Sequence, residues 1–547
     1  MTALEPYSEP DAKSDATLFA DPTLLAAMDI GSNSIRMSLV RLDLATGNWS
    51  VLSQHKETVR LGQGEFAAPG EYRQSLLSED AIARGVLVLQ KFAEIARGRG
   101  AGEIVAIATA ALREAENRDE FTRRAASEAG VEVRVVPGIE EARLIYLGVA
   151  SGVELGEKRG LFIDIGGGST ELIVGTQSEH LLLDSLKLGA IRVGNQFLSG
   201  VTGPVPVSLY AAMQQQVRVV STHAVRKIRA TGFDLAIASS GTAQNLASIA
   251  ARRAGQDPAS LRNYTLKTGD LREIAAMLCK LTLEERRRVP GLNPERADII
   301  LSGAAVLQTL AEDLGVDGLQ VADRSLREGV IVDALLRRQG VSASDEAGVR
   351  RRSIETLMRV LPGEEAHARQ VTRLTLRLFD QAKEAGLHPY GPAERELLEY
   401  AALVHDIGVF VSHTGHHRHS YYLIRHSELA GFTDEEIEII ANLAYFHRKS
   451  PPKKRHAHYQ ALARDDQQMV RPLAALLRLA EGLDRSHLGL VRDVSLKVVE
   501  QGTHRWLRLS LQSDSDPQLE LWYVGSEKAA VEEAFGLPLE IIAAAAL

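Results

Sequence analysis

Leu24-Leu-Ala-Ala-Met-Asp-Ile-Gly-Ser-Asn-Ser34 decides the fold because its order returns at Leu161-Phe-Ile-Asp-Ile-Gly-Gly-Gly-Ser-Thr-Glu171. Each copy is an apolar run, an acid, a small-residue turn and a second apolar run (Ile35 to Val40; Leu172 to Val174). This pattern predicts strand, tight turn, strand, with the acid closing the first strand. Glycine lets the backbone approach a ligand closely. Turn N–H groups and hydroxyls cradle phosphate oxygens. One such turn is an ordinary hairpin. Two with the same Asp-Ile-Gly core predict a phosphate chain gripped from both sides. The expected donors are Ser32, Asn33 and Ser34 in the first copy, and Gly166, Gly167, Gly168, Ser169 and Thr170 in the second. Asp29 and Asp164 are placed to hold a divalent metal or its water. Ser240-Gly241-Thr242 is a third, weaker turn of the same kind.

Working outward, residues 24–145 alternate strands with helices, and the same order restarts at Gly160 and runs to about Arg338. The expected fold class is α/β, with two related domains, 23–145 and 146–338, and a cleft between them, where ligands favour binding. Residues 1–22 read as an acidic disordered tail and 339–349 as a linker. Residues 350–490 are helical by periodicity. Residues 491–547 form a small α+β tail, with strands expected at Val494–Val499, Trp506–Gln512 and Gln518–Tyr523, and a helix at Lys528–Phe535.

The 547 residues carry a net charge of −8, which disfavours a nucleic-acid coat but permits a local basic cluster that binds anions. No apolar run is long enough to span a membrane, and the N-terminus lacks the pattern of a signal peptide. The single cysteine, Cys279, excludes an internal disulfide and fits the cytoplasm.

Further motifs bear on function: Thr109-Ala-Ala-Leu-Arg113, Gly138-Ile-Glu-Glu-Ala-Arg-Leu-Ile145 and Ser325-Leu-Arg-Glu-Gly329. Together with the paired turns, and with Ser412–Ser420 and Tyr445–Lys449 in the helical half, the chain resembles the exopolyphosphatase / guanosine pentaphosphate phosphohydrolase (Ppx/GppA) family. The resemblance implies two actin-like (ASKHA, RNase H-like) domains and hydrolysis of terminal phosphate from inorganic polyphosphate. It implies Glu141 as general base and Arg113 beside the terminal phosphate. It also implies Mg²⁺ or Mn²⁺ on Asp164 and Glu171, with Asp29 as a third acid, and a homodimer. The family's other substrate, guanosine pentaphosphate, would use the same residues, and the sequence leaves that choice open. A kinase or ATPase would share the scaffold, but no adenosine-binding signature supports one.

The helical half orders His367, the pair His405-Asp406, and Asp484. That order is the ligand pattern of the HD phosphohydrolase superfamily and predicts a second divalent-metal site. Nearby basic residues (His417, Arg418, His419, His447, Arg448, Lys449, Lys453, Lys454 and Arg455) are expected to line a channel for a long polyanion.

Overall fold

Both Asp-Ile-Gly turns close hairpins at the same place in two like sheets. In the computed structural model, which describes residues 21–62, 75–256, 261, 264–338, 341–361, 363–427, 429, 431–502, 504–513 and 515–543, the chain divides into two compact units, Met1–Ser344 and Asp345–Leu547.

The first unit holds two lobes. Strands β1 (Asp21–Ile30), β2 (Ser34–Asp43), β3 (Asn48–Thr58), β4 (Ala101–Ala108) and β5 (Val133–Val135) form a sheet in the order β3-β2-β1-β4-β5. Strands β6 (Gly160–Ile165), β7 (Thr170–Gly175), β8 (His180–Leu186), β9 (Leu235–Ser239), β10 (Thr265–Lys267) and β11 (Gly318–Val321) repeat it as β8-β7-β6-β9-β11, with β10 added at the edge. In each lobe the central strand pairs antiparallel with the next strand and parallel with the one after the crossover. This is the expected actin-like architecture. The near-continuous apolar character of Leu24–Met28 and Leu161–Ile163 follows from burial on both faces, because helices cover the sheets on each side.

Local signals match the elements they predict. Ser78 caps the helix Glu79–Gly98, its side chain accepting from the Ala81 N–H at 3.2 Å. Ile82, Val86, Leu89, Phe92 and Ala96 recur at helical spacing and bury one face.

Two helices pack across the lobe junction, Gly138–Ala150 and Leu326–Arg338. A Cβ on Gly148 would overlap the Ser325 carbonyl, and one on Gly329 would overlap the Leu144 carbonyl. The backbones therefore touch. Beside this contact Arg143 is buried and paired with both Glu140 and Asp333 at 2.7 Å. Elsewhere the lobes meet through polar pairs: Arg60–Asp298 at 2.8 Å, Thr58 donating to Glu295 at 3.0 Å, and Arg192–Glu114 at 2.6 Å.

In the second unit, helices Glu365–Glu384, Pro392–Val404, Asp434–Tyr445 and Arg464–Gly482 enclose an apolar core. Strands β12 (Val491–Gln501), β13 (His504–Ser513) and β14 (Leu539–Ala543) form a sheet backed by the helix Gln518–Phe535. Three boundaries differ from expectation. Residues 1–20 of the expected tail lie outside the described residues, but Asp21 and Pro22 already belong to β1. Most of the expected linker is the first half of a helix, Val341–Val360, because Ala and Glu there are good helix formers. Gln518–Tyr523 is helix, not strand: Glu520, Val524 and Val531 lie on one buried face, and the alternation of Leu519 with Leu521 mimicked a strand. No helix among the described residues is long and apolar enough to cross a membrane.

The backbone contact at Gly329 generates a test. Gly329→Ala should destabilise the first unit by about 1–3 kcal/mol through overpacking. Gly98→Ala, in a helix with open space around it, should be neutral or slightly stabilising. Denaturant midpoints of the two variants check this, and equal midpoints would contradict the close packing.

Candidate active site

The two hairpin turns face each other across a narrow cleft of about 90 Å³. Its walls carry Asp29, Ser32, Asn33, Ser34, Glu141, Asp164, Gly166, Gly167, Gly168, Ser169, Ser240 and Gly241. Most of the predicted residues thus converge from segments far apart in sequence. Within each turn the glycine N–H bonds the carbonyl three residues on, Gly31 to Ser34 at 3.2 Å and Gly166 to Ser169 at 3.0 Å. The turns approach closely: a Cβ on Gly167 would lie 2.9 Å from that of Ser32.

Several helices begin at this cleft, among them Gly138–Ala150, Ala190–Phe197, Ser240–Arg253 and Leu326–Arg338. Their positive ends suit anions, although the first N–H groups of Ala190–Phe197 are taken by the Gly166 and Gly167 carbonyls. Ser240 has φ +76°, an uncommon conformation for a residue with a side chain. It is held there by its hydroxyl donating to the Ile165 carbonyl at 2.8 Å. Strain of this kind clusters at functional sites.

Glu141 sits in the first turn of its helix, just after Pro137, and is buried. Arg113 donates to its Oε2 at 2.9 Å and to the Val136 carbonyl at 3.0 Å. Arg113 pairs with this carboxylate and is not among the residues lining the cleft. Burial raises the Glu141 pKa, and Arg113 opposes that rise. Asp164 accepts from Ser325 at 2.6 Å and from Ser239. Burial raises its pKa despite both bonds. Burial also pushes Asp29 up to about 6. Glu171 is pushed well above the usual carboxylate range by burial and then by Glu141 and Asp164. Ser185 donates to its Oε1 at 2.9 Å, while its buried Oε2 has no hydrogen-bond partner.

Two predicted donors turn inward. Thr170 donates its hydroxyl to the Leu188 carbonyl at 2.6 Å, and Thr242 is buried against Gly303. Period-2 alternation in the first case, and the helix interior in the second, point these side chains away from the cleft.

Sequence reading missed the cationic wall. Arg36 and Arg296 line the cleft, with Lys56 electrostatically coupled to both. Arg36 lies directly across the β1–β2 register from Asp29, so the alternation along the second strand carried that signal. Burial and Arg36 lower the Arg296 pKa to about 10. Ser239 and Ser325, the partners of Asp164, were likewise missed.

The fit to a divalent cation is good. Asp29, Glu141, Asp164 and Glu171 are near enough to raise one another's pKa, and a buried oxygen of Glu171 has no hydrogen-bond partner. Oxygen donors of this kind suit Mg²⁺ or Mn²⁺.

Residues 42–338 match the Ppx/GppA phosphatase family, and residues 349–528 match Ppx/GppA phosphatase, domain III. The chain belongs to this family. An exopolyphosphatase from Cytophaga hutchinsonii is 25% identical with a TM-score of 0.52, over 57% of this chain and 97% of that one. The Aquifex aeolicus member of the Ppx/GppA family is also 25% identical, over 58% and 98% of the two chains, with a TM-score of 0.49. Membership makes the protein a hydrolase of phosphoanhydride bonds.

In the helical unit the predicted quartet is rearranged. Glu481, which sequence reading passed over for Asp484, lies between His367 and His405, its Oε2 3.0 and 3.1 Å from their Nε2 atoms. Asp484 stands behind, 2.8 Å from His367 Nδ1. Both acids lie near the end of Arg464–Gly482, one helical turn apart, so the order of residue types alone could not choose between them. Asp406 instead meets His416 and His447. The expected polyanion channel splits accordingly. His447 (1% exposed) and His417 (6% exposed) are interior, because each sits on the core-facing side of its segment. Arg418, Lys449, Lys453, Lys454 and Arg455 remain exposed, with His419 and Arg448 half-buried.

The raised carboxyl pKa values give the cleft a pH dependence. Each carboxyl must lose its proton before holding a cation, so Mg²⁺ affinity should fall as pH drops through about 6, where Asp29 takes up its proton. Calorimetric titration of metal-free protein checks this; constant or rising affinity on acidification would contradict it.

Proposed function

We propose that the cleft removes terminal phosphate from inorganic polyphosphate. The observation that carries this reading is the Glu141 carboxylate, fixed by Arg113 at 2.9 Å on the wall of a cleft built from two phosphate-cradling turns. The width of the cleft supports a slender substrate. A space of about 90 Å³ admits a phosphate unit, whereas sites for drug-sized ligands run to roughly 300 Å³ or more.

In the proposed step, Glu141 accepts a proton from water as the water oxygen bonds to the terminal phosphorus. The bridging P–O bond breaks, and the shortened chain leaves on its oxygen. Phosphoryl transfer of this kind depends on positioning and charge neutralisation rather than covalent chemistry by the protein. Turn N–H groups, the helix N-termini and Arg36 with Arg296 hold the phosphate oxygens. Arg113 is a positioning residue: it aims the base and favours its ionised form. Asp164 and Glu171, with Asp29, would hold Mg²⁺ or Mn²⁺. When bound, that ion would offset the charge of the phosphoryl oxygens.

Glu141→Gln should lower orthophosphate release by about 10²- to 10⁴-fold while polyphosphate binding persists. Phosphate release from polyphosphates and from guanosine pentaphosphate, with and without Mg²⁺, tests the assignment; near-wild-type turnover would sink it. A preference for guanosine pentaphosphate would move the reading to the family's other substrate.

The exposed basic stretch of the second unit is assigned to long chains. Reversing the charges of Lys453, Lys454 and Arg455 should raise KM for long polyphosphates more than for short ones and flatten its dependence on salt. An equal change for both lengths would reject that role.

A further inference from the structure

Four imidazoles in the helical unit share one arrangement. His405 Nδ1 faces the Ala402 carbonyl at 2.7 Å, His416 Nδ1 faces the His413 carbonyl at 3.0 Å, and His447 Nδ1 faces the Ala444 carbonyl at 2.6 Å. A carbonyl only accepts, so each Nδ1 carries a proton. In the neutral ring the lone pair then lies on Nε2. His367 Nδ1 faces the Asp484 carboxylate at 2.8 Å, which sets the same tautomer. All four Nε2 atoms therefore point inward as donors of electron pairs.

Two carboxylates meet them there. Glu481 joins His367 and His405, Asp406 joins His416 and His447, and within each trio the ligand atoms lie within 4.8 Å of one another. The two trios adjoin, because His405 and Asp406 are neighbours in the chain and the His405 and His447 rings are 5.0 Å apart. Five of the six residues are buried. Two imidazole nitrogens meet here without a carboxylate oxygen between them: His416 Nε2 and His447 Nε2 face each other at 3.1 Å, with the Arg448 guanidinium 3.0 Å from the former. A cavity of about 380 Å³, with Arg359 and Arg369 among its lining residues, reaches Asp406 and supplies an entry path.

We propose that the helical unit holds a pair of transition-metal ions, one on His367, His405 and Glu481, the other on Asp406, His416 and His447. Imidazole with carboxylate suits Zn²⁺, Mn²⁺ or Fe²⁺, unlike the all-oxygen cleft of the first unit. Three protein ligands per ion leave positions open for water or substrate. Asp484 is an outer partner that orients His367, in the manner of carboxylate–histidine–metal triads.

The test is metal retention by the full-length protein. Chelated protein is equilibrated with Zn²⁺, passed through a desalting column and analysed by mass spectrometry. About two equivalents are expected in the wild type, about one in each of His367→Gln and His447→Gln, and about none in the double variant. Asp484→Asn should weaken one equivalent by about 10- to 100-fold. Glu171→Gln, in the cleft of the first unit, should retain both, which separates this proposal from the hydrolytic reading. Circular dichroism establishes that each variant is folded. With Co²⁺ in place of Zn²⁺, visible absorption bands should be lost stepwise in the same variants. Retention below one equivalent in the wild type, or retention unaffected by the histidine changes in folded protein, would overturn the proposal.

Discussion

Contact between two helix backbones governs the first unit. Gly148 and Gly329 bring Gly138–Ala150 and Leu326–Arg338 so close that neither position has room for a methyl group. The catalytic geometry depends on this. Glu141 lies in the first turn of one helix, and Ser325, which bonds Asp164, immediately precedes the other. A shift of either helix would separate Glu141 from Asp164 across the cleft. The buried pairs of Arg143 with Glu140 and Asp333 fix the same junction against rotation. Removing one partner would leave a buried charge without compensation.

The cleft built on this junction carries both signs of charge. Glu141 and Glu171 repel each other, while Asp29 stands beside Arg36 and Asp164 feels both Arg36 and Arg296. Burial works against the charged form in both groups: carboxyl pKa values rise and that of Arg296 falls. A polyanion with a divalent cation would supply both complements, its negative oxygens to the cationic groups and the metal to the acids. Protein groups held in place in this way need no reorganisation during reaction.

The lobes were legible in the sequence because the signal is local and doubled. Asp29-Ile-Gly and Asp164-Ile-Gly stand at equivalent strand ends, and tertiary structure had only to bring them together. Glu141 was reachable through its motif. Arg296 was not, since its role comes from a chain segment packed across the cleft and sealed under Gly241. Thr170 was misread because its hydroxyl satisfies a neighbouring carbonyl, a pairing invisible in one dimension. In the helical unit the order of residue types was legible, but not which acid stands between the two histidines. Glu481 and Asp484 are one turn apart on the same helix end, and only the direction of each side chain decides which one meets both histidines. The last helix was lost to Leu519 and Leu521, whose spacing satisfies a strand while the buried Glu520 and Val524 satisfy a helix.

The polar pairs between the lobes differ in kind from the glycine junction. Arg60–Asp298 is about one-third exposed on both sides, and Arg192–Glu114 is more sheltered but still ionic. Exposed ion pairs are weak and screened by salt. One seam of the bilobal unit is thus a rigid hinge and the other a latch. Ionic strength would weaken the latch more than the buried glycine junction, so salt would act on one seam of the bilobal unit and largely spare the other.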